Sequence, residues 1–263
     1  MEPFDLAAAS YDSDFTNSET GRRQRDIIHH YLEGLKFFQA PKYILEINCG
    51  TGEDAIWLAG LGHHVTATDA STQMLEAAKR KKREAGNQPV FLKFDLLSSD
   101  WSWPDQTFDV VFSDFSGLNC FPEGILKDIF ASVTRVLKPG GRLIMVLFGR
   151  HPLHEMLYFS MKGKFRSAFR RMSRGKVAAN VEGREVPVYY HSASQIVSWL
   201  PGFHLKKKFA VGLFLPPSYL EAAAAKKPKL TRFLSAMERV AFKRFIPASL
   251  GDHMLLDFEK KPA

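Results

Sequence analysis

Apolar residues along the chain alternate between two spacings. From Asn17 to Phe38, Ile27, Ile28, Tyr31, Leu32 and Leu35 recur three and four apart, the period of one helix face. Short apolar, β-branched or aromatic runs follow, which predict strands over 42–48, 64–69, 89–95, 107–114 and 142–148. Helical patterns over 52–61, 71–85 and 123–137 separate most of them, and Pro139-Gly140-Gly141 stops the last helix and turns the chain. Such alternation is the signature of an α/β, doubly wound, mostly parallel sheet. After Gly149 the rhythm breaks into a segment over 150–190 with a hairpin signal at Glu182-Gly183-Arg184. A helix at 192–200 and a strand at 203–213 restore it. A second interruption holds Pro216-Pro217 and a helix near 229–245, and a strand at 253–259 ends the pattern.

One compact domain accommodates all of this. Residues 1–149 form a core with an N-terminal lid, 150–190 a basic cap, 191–213 a core helix and strand, 214–250 a second cap insertion and 251–263 a final core strand. The 263 residues are 45% hydrophobic, enough for one large core. The acidic start Met1-Glu2-Pro3-Phe4-Asp5 lacks the basic and apolar regions of a signal peptide. The most apolar short run, Leu143 to Phe148, is far below the roughly 20 residues that span a bilayer. Two cysteines, Cys49 and Cys120, supply neither a disulfide framework nor a cysteine-rich metal site. A cytoplasmic protein without a metal is the expectation.

Charge changes the picture. Residues 1–150 carry 16 Lys+Arg against 20 Asp+Glu, whereas residues 151–263 carry 20 against 8, within a net +8. A neutral to acidic core is thus joined to a basic attachment suited to anions.

Candidate chemistry sits at ILEINCGTGEDA, residues 44–55. Gly50-Thr51-Gly52-Glu53-Asp54-Ala55 fits a G-x-G-x-x-[G/A] turn between strand and helix, and Asp69 ends the next strand, 17 residues after Gly52. Dinucleotides and other nucleoside cofactors both need a tight turn, close backbone approach and a ribose-binding carboxylate. A nucleoside-triphosphate P-loop is excluded, because no Gly-Lys-Ser/Thr follows.

Three further motifs narrow the choice: Glu46 inside the strand end, Phe108-Asp109-Val110-Val111, and Leu137-Lys138-Pro139-Gly140-Gly141. With Leu45-Glu46-x-Asn48-Cys49-Gly50-Thr51-Gly52 they resemble the ordered motifs of class I S-adenosylmethionine-dependent methyltransferases over about residues 40–150. The resemblance implies a seven-stranded Rossmann-like sheet whose last strand is antiparallel, and S-adenosylmethionine as cofactor. It implies that Gly50, Thr51 and Gly52 approach the methionine and ribose, and that Glu46 holds the turn and faces the amino-acid part. Asp69 would take both ribose hydroxyls, Ala70 and Met74 flank adenine, and Asp95 with Leu96 meet its amino edge. Ser113 would face the reaction centre. Asn48 stands where the family prefers glycine, and asparagine tolerates positive φ better than most residues. Ala7-Ala8-Ala9-Ser10-Tyr11-Asp12 resembles the A-x-x-Y-D lead-in of small-molecule and quinone methyltransferases, in which the tyrosine closes over the cofactor.

Ligands of open parallel sheets bind beyond the carboxyl ends of the strands. Both insertions and the start of the last strand return to that edge and are expected to cap the transferable methyl. Base candidates there are His151, His154, Glu155, Tyr158, Tyr190, His191 and His253, with His154, Tyr190 and His253 foremost. His253 adjoins Asp252, although neighbours on a strand point to opposite faces. No Asn/Asp-Pro-Pro-Tyr/Phe follows the fourth strand, and Asn119-Cys120-Phe121-Pro122 lacks the Pro-Cys order of cytosine-C5 enzymes. Cys120 reads as a packing residue, while Phe115 and Asn119 are placed to touch an acceptor.

The basic segment 161–176 holds Lys162, Lys164, Arg166, Arg170, Arg171, Arg174 and Lys176 without an acid. Met161, Phe165, Ala168, Phe169 and Met172 recur at three- and four-residue steps, a stripe that fits core packing or an interfacial face. Methylation of a small, anionic or lipophilic acceptor is the favoured reading. An RNA methyltransferase using the basic cap is the alternative, as is a catalytically silent fold that binds another protein, and a nicotinamide oxidoreductase is more distant.

Overall fold

The computed structural model describes residues 3–81, 86–98, 101–181, 183–215, 233–234, 236–238 and 246–262. Seven strands form one sheet: β1 (Tyr43–Ile47), β2 (His64–Asp69), β3 (Val90–Lys93), β4 (Phe108–Ser113), β5 (Leu137–Phe148), β8 (Phe203–Val211) and β9 (His253–Lys260). Their order is β3-β2-β1-β4-β5-β9-β8. All pairings are parallel except those of β9, which runs antiparallel between β5 and β8. The expected α/β, doubly wound sheet is what forms.

Helices α1 (Glu19–Glu33), α2 (Glu53–Gly60), α3 (Thr72–Arg80), α4 (Glu123–Val136) and α7 (Ala193–Trp199) accompany it. In β1, Ile44, Leu45 and Ile47 are all buried although they alternate in direction. Apolar residues on both faces of a strand require cover on both faces. Accordingly the core has two main clusters. Leu45, Ile47, Val111 and Phe130 belong to one, and Ile44, Ile28, Val110 and Leu58 to the other.

Several boundaries differ from expectation. The first helix ends at Glu33, and Lys36–Gln39 forms a separate short turn, because Gly34 breaks the helix. Pro139-Gly140-Gly141 lies within β5, where the register against β4 shifts between Phe108 and Val110. Proline and glycine are tolerated in a sheet at such an irregularity. The third helix ends at Arg80, and the expected 82–85 end and most of 214–250, including Pro216-Pro217, lie outside the described residues. Of the expected 229–245 helix, 233–234 and 236–238 are helical, and the Glu238 carboxylate accepts hydrogen bonds from the Leu213 and Phe214 amides.

The insertion after β5 contains α5 (Leu153–Met161), α6 (Phe165–Ala168) and a hairpin of β6 (Val177–Val181) with β7 (Arg184–Val188). Gly183, in the left-handed region at φ 81°, lies in its turn.

Candidate cofactor site and cap

Between β1 and α2 the chain reverses through three left-handed residues, Asn48 (φ 52°), Gly50 (52°) and Gly52 (71°). Asn48 is thus a tolerated exception to glycine, and its side chain has work of its own. Nδ2 donates to Ser113 Oγ at 2.6 Å, which ties the end of β1 to the end of β4. The amide packs where only Gly117 leaves room, since a Cβ there would lie 2.6 Å from it. Gly52 is required by packing as well: a Cβ would meet the Phe91 ring at 2.6 Å and Ala78 at 2.9 Å. Asp69 closes the turn from below, accepting the Gly50 amide through Oδ2 and the Ser71 amide through Oδ1, each at 2.8 Å.

Beside this turn lies an excess of buried acid. Asp54, on α2, accepts Arg25 Nε at 3.0 Å and lies 2.7 Å from His29 Nε2. Arg25 and His29 are one turn apart on α1, so they face the same way. Burial alone would raise the Asp54 pKa, but Arg25 and the His29 hydrogen bond bring it down to about 2. For Glu46 and Asp114 the Arg25 charge, joined at Asp114 by the Phe115 amide, does not offset burial. Burial, then the neighbouring Asp54 and Asp114 charges, push Glu46 well above the carboxylate range. Burial, then Asp54, do the same to Asp114. Glu46 Oε2 and Asp114 Oδ2 find no hydrogen-bond donor in the protein among the described residues. Three buried carboxyl groups therefore share one guanidinium.

Strain is concentrated at the same place. Phe115 (φ 42°) and Ser116 (φ 70°), directly after Asp114, are both left-handed without being glycine. Consecutive outliers of this kind persist only where the surroundings hold them, and they cluster at functional sites. Here the Phe115 ring is held by Arg25, 4.8 Å above its centre, by Phe15 at 4.7 Å and by His253 at 5.5 Å.

The N-terminal segment closes the site. Tyr11, Thr16, Arg25, Glu46, Asn48, Cys49, Gly50, Thr51, Glu53, Asp54, Asp114 and Phe115 line a small, partly open cavity of about 20 Å³. Thr51 Oγ1 donates to Asp12 at 2.5 Å, and Lys81 Nζ bridges Asp12, Thr51 and Glu53 at 2.9–3.1 Å. Ser71 Oγ donates to Asp5 at 2.6 Å. Burial, with Asp114 and Asp69 nearby, raises the Tyr11 pKa despite Arg25 and keeps its phenol neutral.

Comparison with known proteins bears on what this arrangement belongs to. Residues 44–141 match the model of a methyltransferase domain. The core is similar to a methyltransferase domain. Over 120 residues the chain is 35% identical to demethylmenaquinone methyltransferase of Thermus thermophilus, covering 45% of this chain and 52% of that one. A sterol 24-C-methyltransferase of Gibberella zeae is 31% identical over 115 residues, 43% of this chain and 29% of that one. The chain thus spans about half the length, or less, of these curated relatives. Over nearly the whole chain the fold superposes on DhpI in its complex with SAM and HEP. There the TM-score is 0.60 at 19% identity, covering 98% of this chain and 94% of that one.

Within this core the expected residues divide. Tyr11, Glu46, Asn48, Gly50 and Thr51 line the cavity. Ser113 does not face it: the residue is fully buried and its hydroxyl accepts from Asn48. Gly52 is turned toward Phe91 and Ala78. Met74 is buried, and its amide donates to the Ser71 hydroxyl that caps α3. Leu96 is buried with Trp101 in the core cluster, whereas Asp95 is exposed and turns back to accept the Leu97 amide. Asp69 and Ala70 are half-buried just beyond the cavity. Asn119 pins cap to sheet, bonding Tyr189 O and the Phe148 amide, and is committed to structure. Sequence reasoning missed Arg25, Asp54 and Asp114. The Arg25–His29 pair on an otherwise apolar helix face was the available signal.

At the cap, His253 is buried, stacks on Phe148 at 5.0 Å and lies one ring, that of Phe115, from the cavity. Its Nδ1 is 3.4 Å from Asp252 Oδ2. The expectation that the two side chains diverge fails because Asp252 precedes β9 and escapes the strand's alternation. Tyr190, raised by burial, lies 5.8 Å from Phe148. His154, lowered by burial, is held near the Leu213 backbone.

The basic segment also finds acids elsewhere in the chain. Arg171 is buried, its Nη2 2.6 Å from Glu155 Oε2 and 2.8 Å from Asp252 Oδ1, while Nη1 donates to Asp252 O. Arg170 pairs with Glu155 Oε1 at 3.0 Å. Arg171 is therefore a clamp and not a solvated cation.

Proposed function

We propose that the chain is an S-adenosylmethionine-dependent methyltransferase acting on a small lipophilic acceptor beneath the cap. The observation that carries this reading is the pair of unpartnered carboxyl oxygens, Glu46 Oε2 and Asp114 Oδ2, on residues that line one cavity. A buried acid without a donor is costly, and a ligand ammonium would relieve it, while Arg25 suits the ligand's carboxylate. The donor set therefore fits an amino-acid moiety attached to a nucleoside. Glu46, Asp114 and Arg25 would hold the amino-acid end, the backbone at Gly50 the middle, and Asp69 the ribose. Ala70 and Met74, with Asp95 and Leu96, remain the flank proposed for the base. When bound, S-adenosylmethionine supplies a methyl group on a sulfonium, open to in-line attack.

The protein's remaining part is positioning and exclusion of water. Tyr11 and Phe15 cover the cavity, and Phe115 separates it from His253. Among the three foremost base candidates, His253 is favoured over Tyr190 and His154 because it adjoins Phe115 and faces an anion. Asp252 is held as a carboxylate by His253 and Arg171 despite its burial. A carboxylate on the Nδ1 side favours a proton there and leaves Nε2 to accept one from an acidic hydroxyl or carbon. A lipophilic acceptor agrees with the aromatic walls Phe115, Phe148 and Tyr190, and with the quinone and sterol chemistry in the relatives' names.

The test is to incubate the protein and methyl-labelled S-adenosylmethionine with hydroxyquinones, sterols and total RNA in parallel. Label in an organic-soluble product, lost in His253→Ala, supports the reading. Label confined to RNA, or cofactor binding without transfer to any acceptor, contradicts it.

A further inference from the structure

A stripe of large apolar side chains faces solvent on the cap. Leu153, Leu157 and Met161 follow at four-residue steps along α5, with Met161 87% and Leu157 62% exposed. A tight turn at Gly163 (φ 68°) leads into α6, and Phe165, Phe169 and Met172 continue the exposure, Phe165 at 60%. Core packing, the alternative left open by the sequence, does not account for it: Ala168 alone of the expected stripe is buried. Apolar side chains scattered singly need no explanation, but six within twenty residues, four on two helices in contact and two directly after them, form a patch.

The patch is framed by cations. Lys162, Lys164, Arg166, Arg174 and Lys176 are all exposed. Among the described residues the acids of this region are taken by Arg170 and Arg171, so the frame is uniformly positive. Rigid apolar tips amid lysine and arginine match one surface chemistry, an anionic lipid bilayer, where side chains enter the acyl boundary and cations meet phosphates. Nucleic acid would match the cations and leave Leu157 and Met161 unexplained. A second copy of the chain would bring the same positive frame against itself.

We propose that the α5–α6 knuckle docks on an anionic phospholipid surface. The knuckle lies outside the cofactor cavity, so docking is separable from cofactor binding and from the proposed methyl transfer.

The experiment is flotation of the full chain with vesicles of phosphatidylcholine mixed with phosphatidylglycerol, and with phosphatidylcholine alone. Binding to the mixed vesicles and little to the neutral ones is expected. Replacing Met161 and Phe165 together by glutamate should abolish it, and Lys164→Glu with Arg166→Glu should weaken it by about tenfold or more. Because these side chains are exposed, both variants should keep the circular dichroism and S-adenosylhomocysteine affinity of the parent, which separates failed docking from a failed cofactor site. Absent vesicle binding, or binding indifferent to both variants, overturns the proposal. So does a shift to lower oligomeric state in the Met161/Phe165 variant, which would assign the patch to a second copy. RNA binding with steep salt dependence and no vesicle binding would overturn it as well.

Discussion

Two buried ionic clusters stand about one aromatic layer apart, on either side of Phe115 and His253, and they are built on opposite plans. In the cap, Glu155 and Asp252 are matched by Arg171 and Arg170. Each of their four carboxylate oxygens lies within ion-pair reach of a nitrogen, with Asp252 Oδ2 3.2 Å from Gln24 and 3.4 Å from His253, although Glu155 Oε1 meets Arg170 as an ion pair without a hydrogen bond. At the glycine turn, Glu46, Asp54 and Asp114 share Arg25, and two oxygens are left without a donor. Balanced charge in a protein interior acts as a clamp, whereas unbalanced charge is an open valence for a ligand. The first cluster should therefore be sensitive to loss of a partner, and the second should gain stability from the same kind of loss.

The largest effect is expected at the clamp. Arg171→Ala takes the shared guanidinium from buried Glu155 and half-buried Asp252, which should cost about 3–5 kcal/mol and is checked by urea denaturation. A near-neutral result would show that the clamp is not buried as described. For this reason Arg171 is unsuited to any test of acceptor binding by charge neutralisation. Next comes Glu46→Gln, which removes an acid that burial disfavours. It should leave the ligand-free protein as stable or more so, while weakening S-adenosylmethionine by about 1.5–3 kcal/mol, the range for a hydrogen bond to a charged group. Equal losses in stability and affinity would place Glu46 with the structural residues.

The pH dependence carries the same contrast. A carboxyl raised in the folded state contributes stability below its ordinary value and loses it as pH rises toward the folded value. Glu46 and Asp114 should thus make the ligand-free protein less stable as pH rises above their ordinary values, 4.5 and 3.8. Asp54, lowered to about 2, acts in reverse, its contribution vanishing as pH falls from 3.8 toward 2. Melting temperature against pH should show a mildly acidic maximum whose alkaline flank flattens in Glu46→Gln; an unchanged flank would assign the slope to other groups.

The smallest effect is expected for Asn48→Gly. It loses the bond to Ser113 but relieves a non-glycine residue at φ 52°. Calorimetry should find affinity changed by less than about 1 kcal/mol, and a larger loss would make the Asn48–Ser113 tie part of the site.

Much of this was legible in the sequence. The period of apolar residues yielded the sheet and most helices, since burial on both faces leaves continuous runs such as Leu143 to Phe148. Asn48 was readable because few residues accept its φ. The hidden part was set by long-range juxtaposition. Nothing local shows that Asp114, directly after β4, comes near Asp54 of α2 and Arg25 of α1, or that Arg171 turns inward to Glu155 and Asp252 while its neighbours face solvent. The tie from Ser113 to Asn48 was hidden for the same reason, because Asn48 directly follows another strand.

The most direct test of the central claim is isothermal titration of S-adenosylmethionine into the parent and Glu46→Gln proteins at neutral and mildly acidic pH, with NAD as control. Binding to the parent should be tight and weaken as pH falls and Glu46 and Asp114 take up protons, and Glu46→Gln should bind weakly with a shallower pH dependence. Equal affinity of the two proteins at both pH values, or binding of NAD in preference to S-adenosylmethionine, would contradict the account.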